Sequence, residues 1–267
     1  MTLSNKITEI VKHRKKSLKD DWEYYNSMEN LPNNAKRLKL SESIKNNRDS
    51  ISIISEIKPA SPTLGSIRTD INVNNLAYEM EEAGVVGLSV LTEPYYFHGS
   101  YGHLKLALSS TDLPCLMKDF IVDPIQVMIA AKLGASNALI INSICNLEEL
   151  YTIFIEKGIE PLIEIHDMAE IKDIERLNEN GFKPTLIGVN NRNLKTLEID
   201  LNTSRQIIPK LREIFGNDFV IVSESGIGSH EDIKSIQSCG ADAYLIGSSI
   251  MQAKNITQKI LDLRGLS

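Results

Sequence analysis

Eight short runs rich in Val, Ile and Leu recur from residue 51 onward, and they constrain the fold more than any other feature. They are ISII (51–54), VVGLSVL (85–91), LPCLM (113–117), NALII (137–141), EPLIEI (160–165), TLIGV (185–189), DFVIV (218–222) and DAYLIG (242–247). Near-continuous apolar runs of this length read as strands buried on both faces. Between them lie segments with helical period: NNLAYEMEEAG (74–84), DPIQVMIAAKLG (123–134) and NLEELYTIFIEKG (146–158). Each ends in Gly, which suits a helix C-terminus. Eight strands alternating with helices predict a parallel α/β fold, a single (β/α)8 TIM barrel over 51–267. A doubly wound open sheet would want a GxGxxG turn after its first strand, and SEIKPASPTLG does not supply one.

The first fifty residues have a different texture. They hold 11 Lys/Arg against 7 Asp/Glu, so the rest of the chain carries a net charge of -10 out of the overall -6. Leu3, Ile7, Ile10 and Val11 have helical spacing, which predicts a helical extension over 1–50 packing on the barrel. Its lysines read either as a solvated helix face or as a basic flap over an anionic site, with Lys12, Arg14, Lys15 and Lys16 as the positions that would test the flap.

Composition closes several other routes. An acidic balance argues against a nucleic-acid partner. Three cysteines without a CxxC pair do not make a disulfide framework, and they fit a reducing, cytoplasmic setting. No apolar run is long enough for a membrane span, and the N-terminus lacks the apolar stretch of a signal peptide. Five scattered histidines form no HxxxH or HExxH pattern, so no metal is expected.

In a parallel barrel the C-terminal strand ends converge on one mouth. The strand ends here carry Glu56 and Lys58, Lys118, Glu164, Asn190 with Arg192, Glu224, and Gly247-Ser248. One strand-end charge commonly turns to solvent. Two lysines, an arginine and three carboxylates around one apolar-walled mouth are costly unless paired, so they mark either a site or an ion-pair network at the rim. Lys58, Lys118, Glu56 and Glu164 are candidates for acid, base or Schiff-base chemistry, and spacing does not rank them. Ser225-Gly226 and Gly247-Ser248, each followed by a helix start, read as a phosphate cradle after strands seven and eight. The expected ligand is a small phosphorylated molecule.

These stretches resemble the indole-3-glycerol-phosphate synthase family: SEIKPASPTLG, LSVLTEPYYFHGS, LMKDFIVDP, PLIEIH, IGVNNRNL, VSESGI and YLIGSSIM. The resemblance implies a cofactor-free lyase of tryptophan biosynthesis acting on 1-(2-carboxyphenylamino)-1-deoxyribulose 5-phosphate. It implies Lys118 as general acid, Glu164 as base or proton relay, and Glu56 with Lys58 at the reacting centre. Asn190 and Arg192 would orient sugar hydroxyls and the carboxylate, with Glu224 a further polar wall. Ser61, Ser225, Gly226, Gly247 and Ser248 fall at substrate or phosphate positions. Phe97, Phe120, Leu139, Leu194 and Ile246 would line the aromatic pocket, the last three reading equally as barrel packing. Pro59, Thr63, His98 and Met117 depart from residues common in the family. A phosphoribosylanthranilate isomerase would lack both the extension and LMKDFI, and a non-catalytic phosphosugar binder would lack a proton-transfer residue. The chain is expected to act as a monomer or weak homo-oligomer, without a fused second barrel.

Overall fold

The computed structural model describes residues 3–28, 38–47, 50–68 and 71–266. Part of the basic excess predicted for the extension, at Lys36, Arg37 and Arg48, lies outside the described residues. The eight apolar runs form a closed parallel barrel. Its strands are β1 Ser52–Ile57, β2 Gly87–Leu91, β3 Cys115–Lys118, β4 Asn137–Ile141, β5 Glu160–Ile165, β6 Leu186–Asn190, β7 Val220–Glu224 and β8 Ala243–Ile246. Closure comes from β1, which pairs in parallel with β8 (Ser52 opposite Ala243) and with β2 (Ile54 opposite Gly87). A hairpin of Ala60–Ser61 with Gly65–Ser66 follows β1. No helix among the described residues is long and apolar enough to cross a membrane.

Alternation along each strand sorts the apolar residues into two layers. Ile54, Leu116, Leu139, Leu162, Leu186, Val222 and Leu245 fill the interior. Ile53, Cys115, Ala138, Ile163, Ile187, Ile221 and Tyr244 face outward under the helices. The helices begin and end where local chemistry dictates. In Pro124–Leu133, Asp123 accepts from the Ile125 amide, Gln126 returns to the cap, and Gly134 ends the helix at φ 92. That left-handed value is open to Gly at no steric cost.

Among the described residues three helices precede the barrel: α1 Asn5–Lys16, α2 Leu18–Ser27 and α3 Leu40–Asn46. The interior cluster takes Ile7 and Ile10 from α1 and Leu40 and Ile44 from α3. These two helices meet opposite ends. α3 closes the floor, where the Leu40 amide donates to Asn137 Oδ1 at 3.1 Å and Ser43 Oγ to the Val86 carbonyl at 2.6 Å. α1 lies over the mouth.

One expected flap residue is elsewhere. Arg14 is 1% exposed and buried between α1 and the barrel wall. Its guanidinium pairs with Asp119 at 2.9 Å and Asp21 at 2.8 Å, and donates to Tyr101 Oη at 2.7 Å. Burial opposes the charge, but these acidic partners hold the group above its usual value. Arg14 therefore fastens the extension and does not face an incoming anion. Lys12, Lys15 and Lys16 are exposed.

Candidate active site

The same alternation that fills the interior carries polar groups to the mouth. Two residues beyond Ile54, Leu116, Leu162 and Val222 come Glu56, Lys118, Glu164 and Glu224, and Asn190 lies two beyond Gly188. They open onto a cavity of about 580 Å³. Every residue expected at the site from sequence lies on its wall, from Glu56 and Lys58 to Gly247 and Ser248.

Lys118 is the hub. Its Nζ lies 2.7 Å from Glu164 Oε2 and 2.5 Å from Glu224 Oε2. Burial disfavours its charge, yet Glu164, Glu224 and Glu56 outweigh that and raise the ammonium above its ordinary value. Burial also works against an ionised Glu164, but Lys118 and His166 prevail and hold that carboxylate low. Glu224 goes the other way: burial, with the Glu164 charge beside it, pushes its carboxyl up to about 8. Glu224 Oε1 has no hydrogen-bond partner among the described residues. A Cβ on Gly188 would strike that oxygen, so the absent side chain of Gly188 makes the space Glu224 occupies.

Lys58 forms a second pair with Glu56 at 2.7 Å, and Ser89 Oγ approaches the other Glu56 oxygen at 3.4 Å. A Cβ on Gly247 would lie 2.5 Å from Glu56 Oε1 and 2.9 Å from Lys58 Nζ. The smallness of Gly247 thus serves this pair as well as any approach by an anion. Arg192 pairs with no carboxylate among the described residues, and its Nη1 donates to the Leu197 carbonyl at 3.0 Å. Burial draws its guanidinium below the usual value, against the pull of Glu56 and Glu164. Asn190 Oδ1 accepts from the Arg192 amide at 2.9 Å, which folds the loop back on itself.

The phosphate cradle differs in part from expectation. The helix after β7, His230–Gln237, is capped by its own first turn. Asp232 Oδ2 accepts from the amides of Gly228 and Ser229, both at 2.9 Å, and Ser229 Oγ accepts from the Asp232 amide at 3.1 Å, so those three donors are taken by the cap itself. The loop before it remains open to the cavity at Ser225 and Gly226, with Ser225 itself at φ 68. After β8 a single turn, Ser248–Met251, presents its first amides, which lack partners within the turn. Ser249 Oγ donates to the Ile227 carbonyl at 3.1 Å and ties the two loops together.

The apolar wall holds Phe97 and Phe120, with ring centroids 6.1 Å apart, and Leu139 and Leu194 from the interior cluster. Ile246 meets both readings given to it. It meets the cavity, but alternation packs its side chain in the outer layer, and Leu245 is the inward residue. Of the family departures, Met117 also packs in the outer layer, Pro59 is buried, Thr63 lies on the wall, and His98 is exposed at φ 52.

Sequence reasoning missed several wall residues. Lys6, Ile7 and Ile10 come from α1. Lys6 Nζ sits 4.2 Å from the Tyr96 ring centroid and 3.3 Å from Glu9. Asn191 is hidden beneath the loops. Its Nδ2 donates to the Glu224 and Ser225 carbonyls at 3.0 Å each, fixing the end of β7. Glu93 is also buried, and it accepts the amides of Tyr95, Tyr96 and Phe97, which sets the loop that presents Phe97. The one available signal was a polar residue placed just past an apolar run.

Solved structures of low identity share the architecture. Orotidine 5'-monophosphate decarboxylase from Sulfolobus solfataricus superposes with a TM-score of 0.58 at 19% identity, covering 80% of this chain and 96% of its own. That likeness concerns the fold alone. Sequence relatives carry more weight. An indole-3-glycerol phosphate synthase from Geobacillus sp. (strain WCH70) is 38% identical over 233 residues, 86% of this chain and 87% of the relative. One from Staphylococcus haemolyticus (strain JCSC1435) is 34% identical over 263 residues, 97% and 96% of the two chains. The family model for indole-3-glycerol phosphate synthase matches residues 7–263, extension and barrel together. This chain belongs to the indole-3-glycerol phosphate synthase family.

Proposed function

We propose that the cavity converts 1-(2-carboxyphenylamino)-1-deoxyribulose 5-phosphate to indole-3-glycerol phosphate, carbon dioxide and water. The observation that carries this reading is Lys118, a charged ammonium between the buried side chains of Glu164 and Glu224 in a largely apolar cavity. As the ring carbon attacks the sugar ketone, the oxygen gains negative charge, and Lys118 is placed to protonate it. Loss of the carboxylate as carbon dioxide restores the ring electrons. Departure of the hydroxyl as water then completes the indole, with Glu164 passing protons. The substrate enters as a carboxylate and leaves as neutral carbon dioxide, so each turnover takes up one proton.

The remaining residues divide the substrate between them. Arg192 holds the carboxylate, and Asn190 a sugar hydroxyl. Glu56 and Lys58 flank the reacting carbon, and Glu224 accepts a hydrogen bond from Lys118. Ser61, Ser225, Gly226, Gly247 and Ser248 take the phosphate end, while Phe97, Phe120, Leu139 and Leu194 take the ring. All these groups come from one chain, so a monomer or weak homo-oligomer working on a charged, cytoplasmic metabolite suffices. The test feeds the purified chain the carboxyphenylamino-deoxyribulose phosphate and follows indole fluorescence together with proton uptake in weak buffer. Fluorescence rising with one proton per product supports the reading. Substrate that binds and stays unchanged refutes it.

A further inference from the structure

His166 follows β5 directly, and its side chain is 1% exposed. Nε2 lies 3.0 Å from Glu164 Oε1, and Nδ1 lies 3.7 Å from Glu170 Oε2. Neither ring nitrogen has a hydrogen-bond partner of good geometry among the described residues. A neutral imidazole there would leave two buried polar atoms unsatisfied, at a cost of about 1–3 kcal/mol for each group. An imidazolium between two carboxylates is balanced by charge instead. Glu170 is itself anchored: it accepts the His166 amide at 2.5 Å and Asn142 Nδ2 at 3.3 Å, and Asn142 also reaches Asp173 at 2.8 Å.

We propose that His166, as an imidazolium clamped between Glu164 and Glu170, is a positioning residue that fixes the Glu164 carboxylate and keeps it ionised. This rests on the reading of Glu164 as the proton-passing carboxylate. The geometry divides the labour of Glu164: Oε2 faces Lys118 and Oε1 faces His166. Neither oxygen can turn without losing a cation.

The charges around the ring come from every side. Glu164 stands on β5 and Glu170 on the turn after it. Lys118 on β3 and Glu224 on β7 lie beyond Glu164, and Arg192 in the loop after β6 feels the Glu164 charge. Asp173 lies behind Asn142. Two cations, Lys118 and His166, face Glu164 and Glu170, while Glu224 tends to keep its proton. Burial works against the imidazolium, but Glu164 and Glu170 raise it to about 9. Without it, Glu164 and Glu224 would compete for the single Lys118 charge, and Glu164 would take up a proton more readily.

The test uses the full chain. His166→Gln keeps a donor and removes the charge. It should lower kcat about tenfold or more, leave KM within about threefold, and move the acid limb of the kcat profile up by about one pH unit. In the wild type, 15N-labelled imidazole signals should report His166 as imidazolium at pH 7. An acid limb that stays in place in His166→Gln overturns the proposal, whatever happens to kcat. A neutral His166 at pH 7 in the wild type overturns it too, and that measurement stands even if the variant does not fold. Glu164→Gln separates the two levels. Full turnover there removes the role of Glu164 and the proposal with it. Lost turnover with an unmoved His166→Gln profile leaves Glu164 in place and removes only His166.

Discussion

Strand β5 carries two glutamates on one face, Glu160 at the floor and Glu164 at the mouth, with Leu162 between them. Both are buried to nearly the same degree. Their surroundings differ in kind. Glu160 is met by neutral donors: the Ser41 amide at 3.1 Å, Asn137 Nδ2 at 2.7 Å, Thr185 Oγ1 at 2.6 Å, and Ser41 Oγ. Glu164 is met by a lysine and a histidine beside an open cavity, with an unpartnered oxygen of Glu224 close by. The floor satisfies its carboxylate fully and is sealed by α3. At the mouth, charge is balanced only across a cluster, and such a cluster can gain or lose a proton without the fold giving way.

The largest effect that could break this contrast is on turnover. Lys118→Met should lower kcat by roughly 100-fold or more, the scale for losing a general acid, with a smaller change in KM. Steady-state kinetics on the folded variant check it. Near-normal kcat would make the mouth cluster a structural network like the floor, and the distinction would collapse.

At the floor the expected loss is stability. Glu160→Ala strands the donors of Ser41, Asn137 and Thr185 and detaches α3, at a cost of about 3 kcal/mol. Urea unfolding should show the loss, while kcat at temperatures where the variant is folded should stay within about twofold of wild type. A kcat loss as large as that of Lys118→Met would show that the floor is coupled to the chemistry.

Much of this arrangement was legible in the sequence because strand alternation is a local rule. Once LPCLMK is a strand with Leu116 inward, Lys118 must face inward too, and the same holds for Glu56, Glu164 and Glu224. Failures arose where a contact depends on distant partners. Arg14 sits in a run of basic residues and reads as solvated, but its partner Asp119 is 105 residues away. Helical spacing in the extension shows that one face is apolar, not that α1 meets the mouth and α3 the floor. SHED reads as a helix start open to anions, yet Asp232 takes the Gly228 and Ser229 amides itself. Gly247 reads as phosphate access and nothing in the sequence singles out Gly188, whereas each leaves room for a glutamate on the neighbouring strand. Ile246 both lines the cavity and packs in the outer layer, while Leu245 is the inward residue, a step of the alternation that DAYLIG alone does not reveal.

The smallest expected effect is a pH dependence of stability that belongs to the mouth. The Glu224 carboxyl is pushed up to about 8 in the fold, from an ordinary value of 4.5. Between those values the native chain holds a proton that the unfolded chain has lost, so stability falls as pH rises through that window. His166 acts in the same sense. Its pKa is raised from 6.5 to about 9, so its stabilisation is full below 6.5 and is lost as pH rises through 9. Glu164, held low, contributes stability above its ordinary value and loses it only in strong acid. The wild type should therefore lose stability between pH 6.5 and 9. Glu224→Gln removes one of the two groups responsible and should reduce that loss by on the order of 1 kcal/mol. Urea unfolding at the two pH values measures the difference. Equal losses in wild type and variant would mean that Glu224 titrates as an ordinary carboxylate, and the mouth would then be as well satisfied as the floor.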